Sequence, residues 1–437
     1  MTQRFLARCL LGALLVASPA YAEEADFARQ VSRLVRQLND DAAAQRDAAE
    51  QALVSLAGSD TASVDRLLAV LPTDSEQLPL AVRDRLARIR RQVEERAAKE
   101  AIAPTTVTLA AKSIPVVDVL QAIEQQTGNK AVDHRQQGVD EGAANEPRVT
   151  VDFKDEPYWS AVDKLLDEAN LGIYSYAGDD ALAIVEREPG DGPRFGNAFY
   201  GGPFRIEALE VQSQRNMRKP NQTSLKLQLE VAWEPRLRPI AVSQTAADLL
   251  AVVDGKTPLK ASQPEAVFGA EVSLGTQAVE LVLPFDLPAR DSTKISSLKG
   301  KLRALVPGRQ AKFKFDDLTH VAGKSQRHGG VKVAIDAVRK NNEIWEIHMR
   351  LRLDEDNHAL ESHRGWAFDN RSYLVNGRGE TIENAGLETT SQAKNEVGVA
   401  YFFDVPHGLD GLTWVYESPA AIVELPIDYE LNNVELP

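Results

Sequence analysis

Cysteine is almost missing from this chain: its 437 residues include one, Cys9. Past that point no disulfide framework, thiol nucleophile or cysteine-ligated zinc site can be built, so stability must come from burial, for which the chain is long enough. Long apolar runs are scarce too. After Val16 no segment is apolar enough to cross a bilayer as a helix. Positive charge is in the minority, with 50 Lys and Arg against 64 Asp and Glu and a formal net charge of −14. That balance argues against a nucleic acid partner, and more weakly against docking on anionic lipid, because a local basic patch can survive a negative total. Catalytic signatures are also missing. There is no G-x-S-x-G elbow and no HExxH pair, and the Gly-rich stretch Gly196–Gly202 lacks the lysine of a phosphate loop.

What is present begins with an export signal. Arg4 and Arg8 precede the short apolar run Leu10–Val16, and Ala20-Tyr21-Ala22 forms an A-x-A site followed by Glu23 and Glu24. Residues 1–22 therefore read as a cleaved signal peptide, which predicts a periplasmic or secreted protein with no integral membrane segment in the mature chain. An uncut N-terminal anchor is the alternative. A lipoprotein would need a cysteine at the end of the apolar run, and Cys9 lies before it.

Residues 23–103 carry apolar positions at helical spacing: Phe27, Val31, Leu34, Val35 and Leu38, then Ala49, Leu53 and Leu56, then Leu67, Leu68 and Leu71, then Val82, Leu86, Ile89 and Val93. Asn39-Asp40-Asp41 breaks the first helix, and Gly58 offers a stop for the second. The stretch from Arg46 to Gly58 resembles a HEAT-type helical hairpin. Only about one such repeat is visible and arrays need roughly three, so a small helical bundle is the reading.

Residues 104–188 alternate strand and helix. Thr106–Ala111 and Arg148–Phe153 read as strands. Val116, Val119, Leu120 and Ile123 share one helical face, as do Trp159, Val162, Leu165 and Leu166 after Pro157, which is placed at the first helical position. A hairpin across Gly178-Asp179-Asp180 closes a compact α+β unit. Two half-motifs carry a family likeness. Each has a strand, then Ile114-Pro115 or Glu156-Pro157, then a helix ending at Thr127-Gly128 or Asn170-Leu171-Gly172. In that order and spacing the segment resembles the short N-terminal (STN) domain shared by secretins and TonB-dependent receptors. The resemblance implies a docking fold with no catalytic residues. It covers under a quarter of the chain, His134–Glu146 is a polar insertion, and no outer-membrane barrel or secretin domain follows.

Residues 189–203, rich in Gly and Pro, read as a linker that Phe195, Phe199 and Tyr200 can pack against a neighbour. Beyond it the pattern alternates as strands, with Leu225, Leu227, Leu229 and Val231 on one face and Asp254-Gly255 as a hairpin turn. It restarts after the polar break Ala322–Gly330. The expectation is two immunoglobulin-like β-sandwiches, residues 204–321 and 322–437, with one large sandwich or two unrelated ones as alternatives. The fold class is thus multidomain α+β. With Val231–Ile240 (VAWEPRLRPI) and the closing Pro426–Pro437 (PIDYELNNVELP), the whole chain also resembles secreted envelope proteins of planctomycete-type bacteria, a likeness that implies no activity.

Candidate metal ligands gather at His358, Glu361 and His363; His358 and Glu361 would face opposite sides of a strand and be neighbours only on a helix. Surface histidines beside a loop are the plainer reading. Asp354, Glu355, Asp356 and Asn357 form an acidic stretch suited to calcium. Counted from Asp354, however, the sixth and twelfth places hold Ala359 and Gly365 instead of the EF-hand Gly and Glu. Asp316-Asp317 and Asp179-Asp180 sit at turns, where Asp is favoured for backbone reasons. Trp159, Trp233, Trp345, Trp366 and Trp414 are scattered, as core residues usually are. No motif calls for a cofactor.

Taken together the sequence reads as a non-enzymatic envelope protein that binds other envelope proteins. The alternatives are a metal-dependent or hydrolytic enzyme acting on envelope polymers, which a pocket uniting His348, His358 or His363 with carboxylates would favour, and an accessory component of a secretion machine.

Overall fold

The computed structural model describes residues 19–58, 61–72, 78–135, 146–178, 180–219, 223–353 and 365–437. The fold is mixed α+β and predominantly strand. The chain divides into two compact units between Ala97 and Ala98. No helix among the described residues is long and apolar enough to cross a membrane.

The first unit is built from α1 (Pro19–Gln37), α2 (Ala43–Leu56), α3 (Thr61–Val70) and α4, which starts at Leu80 and runs on to Ala101. The stripes read from the sequence are its core: Val31, Leu34 and Leu38 of α1, Ala49 and Leu53 of α2, Leu67 of α3, and Val82, Leu86, Ile89 and Val93 of α4. Arginines of α4 cap the ends of its neighbours. The Arg96 guanidinium donates to the carbonyls of Val54 (2.8 Å) and Gly58, and Arg90 donates to those of Leu71 (3.0 Å) and Pro72 (2.6 Å). A cation at the carbonyl end of a helix satisfies orphan acceptors and opposes the helix dipole. Much of the charged run in α4 is therefore tied down within the unit.

The second unit opens with β1 (Thr106–Pro115), α5 (Val116–Thr127), β2 (Ala131–Asp133), β3 (Arg148–Pro157), α6 (Tyr158–Ala169), β4 (Leu171–Tyr174) and β5 (Leu182–Glu186). Strand β1 pairs antiparallel with β3, while β5 lies between β4 and a parallel β2. Gly128 (φ 72°) and Asn170 (φ 54°) end the two helices in left-handed conformation, which suits these residue types. Pro115 and Pro157 stand one position before the first helical residue, because their ψ angles of 141° and 139° are extended. Pro157 is thus the residue before the helix instead of the first helical position that the sequence predicts, because its extended ψ keeps it in β3. Val116, Val119, Ile123, Trp159, Val162, Leu165 and Leu166 pack against Val149, Val151 and Phe153 in one core. Most of the polar insertion, residues 136–145, lies outside the described residues. At its base Arg135 bridges Asp133 (2.6 Å) and Glu146 (2.9 Å).

The strands that follow are β6 (Ala198–Gly201), β7 (Phe204–Arg215), β8 (Thr223–Trp233), β9 (Ala241–Thr245), β10 (Leu250–Val253), β11 (Thr257–Leu259), β12 (Val267–Glu271), β13 (Ala278–Phe285) and β14 (Lys294–Phe315). After these come β15 (Ser325–His328), β16 (Val331–Asn341), β17 (Ile344–Leu353), β18 (Ser372–Val375), β19 (Thr381–Glu383), β20 (Gly386–Ala393), β21 (Glu396–Asp404) and β22 (Thr413–Glu435). They form two sheet-on-sheet lobes that share one sheet. Strands β14 and β22 pair from Lys294–Glu435 to Phe315–Trp414. Half of this ribbon covers the β13-β8-β7-β6 sheet, and the other half covers the β15-β16-β17-β21-β20 sheet. Ile427, Tyr429 and Leu431 belong to the first core, whereas Trp414, Tyr416 and Ala420 belong to the second. A boundary at 321/322 therefore does not separate the cores: the last strand returns to complete the first lobe. Between them the register skips Gly308 and Ala421 (φ 50°), and the Ala421 N–H donates to the Gly329 carbonyl (2.7 Å).

Candidate functional site

The polar groups that stand out lie at the seam between α6 and the first β lobe. Asp163 occupies the core-facing side of α6 and has no solvent exposure. A carboxylate survives there only with several donors, and it accepts from Arg205 Nε (2.6 Å), Arg194 Nε (2.9 Å) and the Tyr200 hydroxyl (2.8 Å). One turn on, Asp167 accepts the backbone N–H groups of Arg194 and Phe195 (2.8 Å each) and Arg187 Nη2 (2.5 Å). Burial opposes its charge, but those three donors outweigh burial and hold its carboxyl below the usual range. The Gly/Pro segment is thus not a free tether: Arg194, Phe195 and Tyr200 are pinned, and Ala198–Gly201 is the edge strand β6.

Arg205 carries the seam into the sheet. Its buried guanidinium bonds Glu207 (2.5 Å) and stands 3.8 Å from Glu230. Glu207 of β7 lies opposite Glu230 of β8, and Glu230 opposite Glu280 of β13. Three carboxylates therefore form one row across three strands. Like charges in register are destabilising, and Glu230 shows the strain. Burial raises its pKa, Arg205 and Arg194 pull it down, and Glu207 and Glu280 push it up again, with a net rise. Beside the row Tyr176 is pushed up to about 12 by burial and then by Glu230 and Glu280. It meets Tyr174 edge to face at 6.1 Å, and Tyr174 is 52 % exposed.

A second buried cluster locks the other side. Glu234, 1 % exposed, accepts from the Thr105 N–H (2.9 Å), Asn129 Nδ2 (3.1 Å) and Arg236 Nε (2.8 Å). Arg236 also donates to the carbonyls of Ala101 and Ala103. Trp159 Nε1 donates to the Pro203 carbonyl (3.1 Å). The α+β part is held to the lobe by ion pairs and hydrogen bonds as well as by apolar contact.

Of the sequence candidates, Asp354, Asp356, His358, Glu361 and His363 lie outside the described residues. His348 meets one carboxylate, Glu346 (2.8 Å), which also accepts from Arg339 and Asn341. Bonds from His348, Asn341 and Arg339 hold Glu346 at about 2. Among the described residues no group of three or more His, Cys, Asp or Glu side chains is placed to hold a metal ion. Asp317 (φ 52°) is a turn residue bonded to Thr319 and His320. The seam residues escaped the sequence reading because register is not written in one strand. The legible signal was Asp163, a charge between Val162 and Leu165 on an apolar helix face.

The chain matches no family model, no curated protein and no solved structure.

Proposed function

We propose that this is an exported, non-enzymatic envelope protein that docks other envelope components, with the α+β part and the adjoining glutamate row as the recognition face and the β lobes as its base. The order β1-α5-β2-β3-α6-β4-β5 supports the likeness to STN docking domains. The observation that carries the reading is the row Glu207–Glu230–Glu280, an arrangement that works against the fold and lies beside Tyr176, which is 36 % exposed. Sites that break a local rule at a cost in stability are where function concentrates. Excess negative charge beside tyrosines suits a partner that brings Lys or Arg side chains. A carboxylate with a raised pKa, as in Glu230, is also raw material for acid–base catalysis. That chemistry needs a substrate cleft above it, and the cavities lined by Trp366 and by Ile427 lie elsewhere.

The test is recovery of partners from the native envelope fraction on the immobilised chain. Glu207→Gln with Glu280→Gln should lower recovery several-fold while the circular dichroism spectrum stays that of the folded wild type, and added salt should lower recovery of the wild type. Recovery indifferent to both treatments would overturn the proposal. So would hydrolysis of an envelope polymer that these substitutions abolish.

A further inference from the structure

The outer face of the β13-β8-β7 sheet carries opposite charge at its two ends. At the α6 end stands the row Glu207–Glu230–Glu280. The next row is Glu210–Gln228–Val282, and the one after it is Gln212–Lys226–Pro284. Beyond them the β7–β8 hairpin turns, with Arg215, Met217, Arg218 and Lys219 all exposed. From Val211 to Lys226 the sequence holds four cations and no carboxylate. Four glutamates thus mark one end of the face, and four cations mark the other.

The ends cannot neutralise each other within one copy. Along β7 the path from Glu207 to Arg215 is about 25 Å of strand, well past the roughly 8 Å over which exposed charges interact in physiological salt. Between the ends the face is partly apolar. Val282 is 46 % exposed, as is Leu209, the extra residue at the β7 bulge, and Met217 at the turn is 88 % exposed. Like charges gathered at each end cost stability, and one chain alone recovers none of it.

A face charged in this way is complementary to itself. Two copies laid face to face about a two-fold axis through its middle bring each acidic end onto the other's cationic end and set the apolar middles together. Laid the same way round, like charge meets like, so only the antiparallel arrangement attracts. We propose that this face takes a second copy of the chain, in a two-fold dimer held by the glutamates of each copy on the hairpin cations of the other. The inference rests on the glutamate row being a recognition face, and it names this chain's own hairpin as the bearer of the Lys and Arg that the row receives. Three strands of that length offer roughly 400 Å² per copy, which places the dimer in the weak, transient class.

Sedimentation velocity of the full chain tests this. The wild type should move from monomer toward dimer as its concentration rises into the high micromolar range at low salt, and added salt should reverse the move. Glu210→Lys with Glu280→Lys should weaken self-association ten-fold or more, and so should Arg215→Glu with Arg218→Glu and Lys226→Glu. All five residues are exposed, and circular dichroism checks that each variant is folded. If either fails to fold, Glu280→Gln and Lys226→Gln decide, each with a smaller loss. An equal mixture of the two charge-reversed variants should regain association that neither shows alone, because the cations of the first still meet the intact glutamates of the second. The proposal is overturned if the wild type stays monomeric, if either variant associates like the wild type, or if the mixture behaves as its components do. A monomeric wild type that still recovers envelope partners through the glutamate row sinks the dimer and leaves the docking reading standing. A monomeric wild type whose hairpin cations bind phosphatidylglycerol vesicles also overturns it, and assigns that end to a lipid surface.

Discussion

Asp163 and Arg205 are both fully buried, and each is the other's main compensation. Removing one partner of a buried pair leaves an uncompensated charge, at about 3–5 kcal/mol. Asp163→Asn should therefore cost about that much in denaturant unfolding. Adding Arg205→Met should recover a good part of it, because the orphaned guanidinium goes too. A double-mutant cycle reads the coupling directly, and additive losses would show that the pair is not coupled. Glu230 acts with the opposite sign. Its folded-state pKa lies above its unfolded value, because burial and its two glutamate neighbours outweigh the arginines. The stabilisation from its bound proton is fully present below the unfolded pKa and is lost as pH rises through the folded one. Glu230→Gln should thus stabilise the protein at neutral pH by about 0.2–1 kcal/mol, the scale of one cross-strand pair, and should flatten the pH profile of the midpoint over that window. A variant less stable than wild type at pH 7 would contradict this.

At the scale of elements, alternation and helical spacing translated directly into structure. Leu225, Leu227, Leu229 and Val231 face the core of β8, while Lys226, Gln228 and Glu230 alternate with them. What alternation cannot say is which residue stands opposite which, and that alone makes Glu207, Glu230 and Glu280 a row. The β14–β22 ribbon shows the same limit. The break in its pairing is a place of close approach: a Cβ on Gly308 would collide with Ala98, and one on Gly329 (φ 53°) would come within 2.7 Å of the Ala421 nitrogen. Gly329→Ala should cost about 1–3 kcal/mol through backbone strain and overpacking, measurable as a lower midpoint. Gly323→Ala, at φ 82° but with open space around it, should cost less. Equal losses would mean that packing at this break is unimportant.

For the whole molecule, the return of β22 has a direct consequence. A fragment covering 204–321 lacks Ile427, Tyr429 and Leu431, which close its own core. It should stay unfolded by circular dichroism, whereas residues 98–437 should melt as one cooperative transition, as expected of one compact unit. A cooperative melt from 204–321 alone would show that the last strand is dispensable.

Sequence by itself settled what depends on neighbours along the chain. The helical stripes of residues 27–93, the strand–helix order after Thr105, the stops at Gly128 and Asn170, and the alternating strands beyond Phe204 all follow from local periodicity and backbone preference. Tertiary structure decided everything that needs two distant segments in register. It brought residue 163 to 205, set three glutamates side by side, sent the last strand through both lobes, and opened a cleft between residues 240–274 and 365–369. The physical reason is the same each time: a side chain's face is set by its own strand or helix, but its partner is set by which strand pairs beside it, and one chain read in order carries no record of that pairing.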